Sequence, residues 1–281
     1  MKPNDKYETG GSRVLLLVDM GNTCMVFGLY REEELLGRWE LSSERNLTPD
    51  ELVLKLRGLL GSLPQGALST AEPALPGNYR IDGIMAASVV PHLDPVLSEA
   101  CRQVFDMSPL YVGAANVKTG MAVDYKNPRE VGADRIVNAV AAREVFGAPV
   151  IVLDCGTATT FDIVSAEGHY AGGLILPGME VSLDALAGRA AKLPEVSFAA
   201  CTELIGRDTA SSMQAGSYWA AVDGLSGIIR RLKVLPGYAT APVVATGGLA
   251  GRIVDALHEV DEYCPLLTLQ GLLLLARRHF R

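Results

Sequence analysis

The sequence predicts an α/β protein built from two similar halves that face each other across a ligand cleft. Its composition is that of a globular α/β protein, with 49% hydrophobic residues, 20% charged residues and 29 glycines. An Asp-x-Gly-x-Thr/Ala motif occurs twice, starting at Asp19 and at Asp154, each time directly after a buried β-like run. Similar orders of strands and helices surround the two copies. Ligand sites in α/β proteins favour such a cleft.

The first half is predicted to begin with three strands, at residues 14–18, 24–30 and 35–41. A helix should begin at Pro49, because Thr48, Pro49 and Glu51 match an N-cap, a first-turn proline and a capping-box acid. Gly61 is placed to end this helix. The rest of the half is predicted to be a loop, a strand, a helix and a short strand, at residues 62–78, 81–90, 92–105 and 110–112.

The second half is expected to repeat this order after a linking helix over residues 128–146. Its opening strands are predicted at residues 150–153, 161–165 and 168–176. Then follow helices at 179–190 and 209–233, a strand at 243–246, and helices flanking Asp255 and Leu272. We therefore predict two domains, residues 13–125 and residues 126–281, the second including the linking helix and a C-terminal helix.

Charge and composition argue against several functional classes. A formal net charge of -7 disfavours a broad nucleic-acid footprint, and no apolar run approaches the roughly 20 residues of a membrane helix. Residues 1–13 lack the apolar segment of a signal peptide, and we interpret them as a disordered lead-in. The five cysteines contain no CxxC pair, which favours reduced thiols and disfavours structural zinc. We expect a cytoplasmic protein that binds neither nucleic acid nor membranes.

The two Asp-x-Gly turns carry groups suited to nucleotide phosphates. A glycine lets the backbone N–H groups approach phosphate oxygens, and the carboxylates of Asp19 and Asp154 can hold a cation. Side-chain donors are available at Asn22, Thr23, Thr157 and Thr159. Either motif alone is as well explained by an ordinary Asx-type turn. Two copies at matched positions favour a phosphate site.

A third segment, Thr246-Gly247-Gly248, lies between a β-like run and a helical pattern. Its glycines can let an adenine or ribose lie close to the backbone, although such a turn often has no ligand. Because this segment follows two phosphate-type turns in the sequence, we expect ATP to bind in the cleft. The sequence has neither a Walker A motif nor a GxGxxG motif after a strand, so P-loop and Rossmann folds are disfavoured.

The linking helix carries a second set of polar candidates. Val137, Ala141 and Val145 form one apolar stripe, and Asp134 and Arg135 lie at a different angle in the early turns. Both polar residues can face the cleft. The alternative is an acidic residue that stabilises a helix N-terminus beside an arginine in a solvated ion pair. This segment alone leaves the choice open.

In order and spacing, these motifs resemble those of the type III pantothenate kinases, in the acetate kinase, sugar kinase, Hsp70 and actin superfamily. The similarity spans residues 14–275. The matching segments are DMGNT at 19–23, ASVVP at 87–91, NP at 127–128, VGADR at 131–135, DCGTATT at 154–160, GG at 172–173, PG at 177–178, AAKLP at 190–194, Gly206 with Thr209, MQ at 213–214 with Gly216, and TGGLA at 246–250. Ala87 and Ala215 replace a common serine, and neither change removes a group that the chemistry needs.

The resemblance implies two ribonuclease-H-like (actin-like ATPase) domains and transfer of the ATP γ-phosphoryl group to pantothenate, the first step of coenzyme A biosynthesis. It implies ATP binding by Asp19, Met20, Gly21, Asn22, Thr23, Cys24, Met25, Val26 and Thr157. It implies pantothenate contacts by Tyr125, Gly132, Ala133, Asp134, Arg135 and Thr209. Asp134 is then the catalytic proton acceptor. Because Arg135 carries a positive charge, we expect it to bind the pantothenate carboxylate.

The resemblance also implies Mg²⁺ with ATP, a monovalent cation (K⁺ or NH₄⁺) at Asp154, and a homodimer whose second protomer helps to enclose the pantothenate site. Three alternatives remain: a non-catalytic regulator, a phosphatase or ATPase of the same superfamily, and a filament-forming relative of actin. The presence of Asp19, Asp134 and Asp154 argues against the regulator. ADP release with and without pantothenate distinguishes a kinase from an ATPase.

Overall fold

The computed structural model describes residues 13–63, 80–113 and 115–280. A first sheet contains β1 (Val14–Met20), β2 (Cys24–Arg31), β3 (Glu34–Ser42), β4 (Gly83–Ser88) and β5 (Leu110–Tyr111). Its strand order is β3-β2-β1-β4-β5. β2 pairs antiparallel with both β1 and β3, whereas β4 pairs in parallel with both β1 and β5.

The second sheet has the same topology. It contains β6 (Val150–Cys155), β7 (Ala158–Val164), β8 (Tyr170–Pro177), β9 (Val243–Thr246) and β10 (Glu262–Tyr263). From β8 to β10 its order is β8-β7-β6-β9-β10, with antiparallel pairing among the first three strands and parallel pairing thereafter. The predicted duplication is therefore confirmed. The short exposed strand β10 was not predicted.

Among the residues that the structure describes, six α-helices complete the fold: α1 (Pro49–Gly61), α2 (Asp94–Phe105), α3 (Ala133–Phe146), α4 (Met179–Arg189), α5 (Thr209–Lys233) and α6 (Leu267–His279). α1 and α2 cover one face of the first sheet, and α4 and α5 cover one face of the second. α3 and α6 share a core with both sheets. This layering follows from strand alternation, since Leu15 and Leu17 point to the central core while Leu16 and Val18 point to the opposite face.

The position of α6 matters for the domain division. This helix contacts α3, β1 and β4, so the C-terminal end of the chain packs against the first sheet. We predicted α6 as part of the second domain. The boundary at residues 125 and 126 stays a prediction, since α3 and α6 are shared between the two sheets.

Local signals located several helix ends well. The capping box at the start of α1 is present: the Thr48 N–H donates to Glu51 Oε2 (2.9 Å), and the Glu51 N–H donates to Thr48 Oγ1 (3.3 Å). α5 has the predicted bounds, and Asp208 caps it by accepting a hydrogen bond from the Ser211 N–H (2.8 Å).

Two helix predictions need correction. The linking helix begins at Ala133 and not at Pro128, because a short 3-10 turn, Pro128–Glu130, is followed by extended backbone at Val131. Around Asp255 there are two single-turn 3-10 helices, Ala250–Arg252 and Val254–Ala256, in place of an α-helix.

Val145, the third member of the predicted apolar stripe, is exposed. The predicted lead-in before Arg13 and nearly all of the predicted loop 62–78 lie outside the described residues.

Candidate active site

The two Asp-x-Gly turns meet at the cleft between the sheets. Each is a tight hairpin: the Gly21 N–H donates to the Cys24 carbonyl (3.0 Å), and the Gly156 N–H donates to the Ala158 carbonyl (3.1 Å). The hydroxyl oxygens of the exposed residues Thr23 and Thr157 are 2.7 Å apart and share a hydrogen bond. The repeat therefore brings two sets of phosphate-type donors, 134 residues apart in sequence, to one point.

Three aspartates converge below these turns. Asp19 lies near the end of β1, Asp154 near the end of β6, and Asp134 in the first turn of α3. All three are partly buried. Such a cluster of negative charge is stable in its ionised form only if positive charge is supplied.

The pKa values of the three carboxyl groups reflect this crowding. Burial raises the pKa of Asp19 to about 8, and the charges of Asp134 and Asp154 add to the effect. Burial, followed by the charges of Asp162 and Asp134, raises the pKa of Asp154 to about 7. Burial also raises the pKa of Asp134, against the opposing effect of the Arg135 N–H and guanidinium. A bound cation would restore the ionised forms.

Asp154 has the geometry of a cation ligand. Its Oδ2 accepts a hydrogen bond from Asn138 Nδ2 (2.9 Å). Its Oδ1 faces Gly247, whose φ is +93°. A residue with a Cβ at this position would collide with that oxygen and with the backbone of Cys155. The third predicted segment thus packs directly on the second turn and against Asp154 Oδ1. A carboxylate oxygen at this place can serve as one ligand of a cation bound in the cleft.

No group of three or more His, Cys, Asp or Glu side chains in the described parts of the chain forms a metal site by itself. Any cation here would therefore complete its ligand shell with backbone carbonyls, water or nucleotide oxygens. Magnesium accepts such a shell, since it keeps several waters and binds through one or two carboxylates plus phosphates. Asp19 suits that arrangement.

Asp134 is held by the start of α3. Its Oδ1 accepts a hydrogen bond from the Arg135 N–H (2.7 Å) and lies so close to Gly132 that a Cβ there would overlap it. Helix N-termini stabilise negative charge. The break between the 3-10 turn and α3 therefore gives Asp134 an early-turn position that a continuous helix from Pro128 would not provide.

The structure corrects the solvated ion pair considered for Arg135, whereas its binding of the pantothenate carboxylate stays a prediction. The residue is 8% exposed, and its Nε donates to Asp162 Oδ1 (2.6 Å) while Nη2 donates to the Phe161 carbonyl (2.9 Å). Its ion pair is buried and not solvated, and its guanidinium is used by protein groups, which disfavours binding of a ligand carboxylate. Tyr170 donates its hydroxyl to the same carboxylate oxygen (2.8 Å). Arg135 thus fastens the start of α3 to β7.

The remaining residues that were predicted to bind ATP differ in how deeply they are buried. The side chains of Met20 and Met25 are fully buried in the core beneath the first turn, so only their backbone atoms are open to a ligand. Cys24 and Val26 are partly buried, and Asn22 is exposed. The exposed edge of the turn is therefore formed by its polar residues.

Tyr125 and Thr209 lie on different sides of the second sheet. The ring of Tyr125 packs at 6.4 Å from the ring of Tyr170, on the face that carries Asp162. Thr209 begins α5 and lines a groove of about 1010 Å³ together with Thr159. Because neighbouring strand residues point to opposite faces, Thr159 and Thr209 lie across the sheet from Asp162 and Arg135. Thr209 therefore lies on the opposite face of this sheet from α3, whose first turn carries Asp134.

Two residues of this network were missed from the sequence. Asn138 follows Asp134 by four residues, so helical spacing alone places both on one face of α3. Asp162 alternates with Thr159 and Phe161 along β7 and is fully buried. An acidic residue inside a buried strand is itself a sign of a buried partner.

Comparisons with known proteins are consistent across nearly the whole chain. The family model for type III pantothenate kinase matches residues 15–231. A type III pantothenate kinase of Moorella thermoacetica is 45% identical over 266 residues, covering 95% of this chain and 100% of its own. The protein of the same name from Listeria monocytogenes is 43% identical, covering 95% of this chain and 98% of its own.

Solved structures give the same fold at low identity. A conserved putative Baf family transcriptional activator from Campylobacter jejuni matches with a TM-score of 0.57 and 18% identity, covering 94% of this chain and 98% of its own. MreB 5 of Spiroplasma citri, bound to AMPPNP, matches with a TM-score of 0.51 and 8% identity, covering 95% and 96%. These likenesses concern the fold alone, which is the predicted actin-like arrangement of two domains.

Proposed function

Because the chain belongs to the type III pantothenate kinase family, it phosphorylates pantothenate with ATP in coenzyme A biosynthesis, and we propose that Asp134 is its catalytic proton acceptor. The observation that carries this assignment is the convergence of Asp19, Asp134 and Asp154 under the two paired turns. Of these aspartates, Asp134 alone stands on a helix start outside the two turns.

Phosphoryl transfer through a loose transition state needs alignment and charge neutralisation more than covalent chemistry. Asp134 would accept a hydrogen bond from the primary hydroxyl of pantothenate and then its proton. Thr23, Thr157 and the backbone N–H groups of the turns would hold phosphate oxygens. Mg²⁺, held by Asp19 with the ATP phosphates, would supply the positive charge that the three carboxylates and the phosphates lack.

A coupled assay of ADP release tests the activity against its rivals. A pantothenate kinase releases ADP only when pantothenate is present, and the phosphorylated product appears in equal amount. Phosphate release without pantothenate would indicate an ATPase or phosphatase. An absence of ADP release under all conditions would favour the non-catalytic regulator.

A monovalent cation at Asp154 is the second part of the proposal. The position of this carboxyl group beside the second turn and its raised pKa support a bound K⁺ or NH₄⁺. We expect activity to require K⁺ or NH₄⁺ in addition to Mg²⁺, and Asp154→Asn to abolish that response. Turnover in potassium, ammonium and sodium chloride at equal ionic strength checks this. Full wild-type activity in sodium alone, or an unchanged potassium response in Asp154→Asn, would contradict the assignment.

A homodimer is the third part of the proposal. Thr209 is separated from Asp134 by the second sheet, so a role for Thr209 in binding pantothenate requires the Thr209 of a second chain. The groove beside it is lined by an exposed stripe of small residues on α5, namely Gly216, Ala220 and Gly224, spaced by four. Leu204 and Ile205, 71% and 77% exposed, lie just before α5. Apolar surface of this kind marks an interaction site.

We expect light scattering to give twice the mass of one 281-residue chain. Ala220→Arg, on the exposed stripe, should produce monomers and raise the KM for pantothenate, because a charged side chain blocks close helix packing. Leu54→Arg, at a residue of α1 that is 70% exposed, is the matched control and should stay dimeric. A wild-type protein that is monomeric at assay concentration would defeat the proposal.

The surroundings of the enzyme are also proposed. All five cysteines are free, which supports a reducing compartment and hence the cytoplasm. Within residues 13–63, 80–113 and 115–280, no helix is long and apolar enough to cross a membrane. The net charge of -7 supports small-molecule substrates over nucleic acid.

A further inference from the structure

Helix α3 contributes two polar side chains to the site. Asp134 and Asn138 are one helical turn apart and lie on the same face. Asn138 is 1% exposed, and α3 is otherwise surrounded by apolar core at this level. A buried amide must satisfy its donors and acceptor with specific partners, so its hydrogen bonds show what it is placed to do.

Both ends of the Asn138 amide have a partner. Nδ2 donates to Asp154 Oδ2 (2.9 Å), and Oδ1 accepts a hydrogen bond from Thr268 Oγ1 in the first turn of α6 (2.8 Å). The Asp154 carboxylate fixes which way the amide points, because a flipped amide would set its oxygen against that carboxylate, and the Thr268 hydroxyl holds this orientation by donating to Oδ1. The chain Thr268, Asn138, Asp154 thus links α6, α3 and β6.

The hydrogen bond from Asn138 sets the orientation of the Asp154 carboxylate. With Oδ2 engaged by Asn138, the carboxylate is turned so that its other oxygen, Oδ1, lies beside Gly247 and is the oxygen left to bind a cation. We propose that Asn138 is the positioning residue that aims Asp154 Oδ1 at the monovalent cation, and that Thr268 holds Asn138 in the required orientation. This inference rests on the cation role proposed for Asp154.

The two roles open to Asn138 make different predictions. A purely structural amide stabilises the fold to the same extent with or without the cation. A positioning amide changes cation affinity, since partners that orient a metal ligand typically contribute about 10- to 100-fold in affinity. Substitutions of Thr268 should also change cation affinity, because its side chain is hydrogen-bonded to Asn138.

The test uses the full-length enzyme with Mg²⁺ and ADP and titrates KCl against choline chloride at constant ionic strength. The first readout is the rise in melting temperature with K⁺, which needs no turnover, and the second is the K⁺ concentration for half-maximal activity. Asn138→Leu should raise both half-saturating concentrations at least about 10-fold. Thr268→Val should shift them in the same direction by less, and Thr268→Ser, which keeps the hydroxyl, should restore wild-type values.

Two outcomes overturn the inference, and they differ. If wild type responds to K⁺ and the variants respond with the same half-saturation, Asn138 is structural and the cation site stands. If wild type shows no K⁺ response in either readout, the proposed cation site itself fails, and the inference fails with it. Should Asn138→Leu not fold, the comparison of Thr268→Val with Thr268→Ser decides, since these variants differ in the hydroxyl that orients the amide.

Discussion

Asp134→Asn should reduce turnover by about 10² to 10⁴ while melting temperature and ATP binding change little. The amide keeps the shape of the side chain and can still accept the Arg135 N–H that holds it at the start of α3. It cannot accept the proton of the pantothenate hydroxyl. General-base assistance of this kind is typically worth that factor. Steady-state turnover, nucleotide affinity and melting temperature of one preparation check the result.

A purely structural Asp134 predicts the reverse pattern. An acid that only favours its helix N-terminus contributes about 0.5 to 1 kcal/mol, so its loss would lower stability and leave turnover nearly intact. Asp50→Asn, in the first turn of α1, makes the same chemical change at a helix start outside the site and is the matched control. A stable Asp134→Asn enzyme with near wild-type turnover would refute the catalytic role.

Asp162→Asn should lower the free energy of unfolding by about 3 to 5 kcal/mol. The amide oxygen can still accept hydrogen bonds from Arg135 and Tyr170, but the negative charge is gone. Arg135 cannot lose its proton, so its guanidinium would remain buried without a counter-charge. Chemical denaturation measured for wild type and variant gives the difference directly.

Asp124→Asn is the matched control for this change. Asp124 Oδ2 makes an exposed contact with His169 Nδ1 (3.2 Å), which is an ion pair only when the imidazole is protonated, and such surface pairs contribute about 0 to 1 kcal/mol. Equal losses in the two variants would show that the buried pair contributes no more than a surface pair. Arg135→Met adds a second comparison. If Arg135 only holds α3 against β7, the variant should be less stable and its KM for pantothenate unchanged. If Arg135 binds the substrate carboxylate, the KM for pantothenate should rise.

Local patterns were enough for much of the fold. The buried runs ending at Asp19 and Asp154 became β1 and β6, and the signals around Thr48 located the start of α1. Each of these signals lies within a few residues of the structure it specifies, because capping, turn formation and strand alternation are short-range effects. The recurrence of one motif then predicted two sheets with the same topology.

The same short range explains the errors. Pro128 favours a helix start, and the pattern after it is helical, so a continuous helix was expected. The turn at Pro128–Glu130 is instead closed by the Asn127 side chain, which accepts from the Arg129 N–H, and the chain extends again before α3. A proline at a helix start is compatible with a 3-10 turn as well. With the 3-10 turn in place, Gly132 lies directly beside Asp134, where a Cβ would overlap the carboxylate.

The sequence by itself determined the kind of site: two phosphate-type turns, an acid at a helix start and the family to which these belong. Only the tertiary structure decided that Arg135 pairs with Asp162, that Asn138 joins Thr268 to Asp154, and that Thr209 lies across a sheet from Asp134. The partners in these contacts are far apart along the chain. Their pairing follows from how α3 and α6 pack between two sheets, which no local signal encodes.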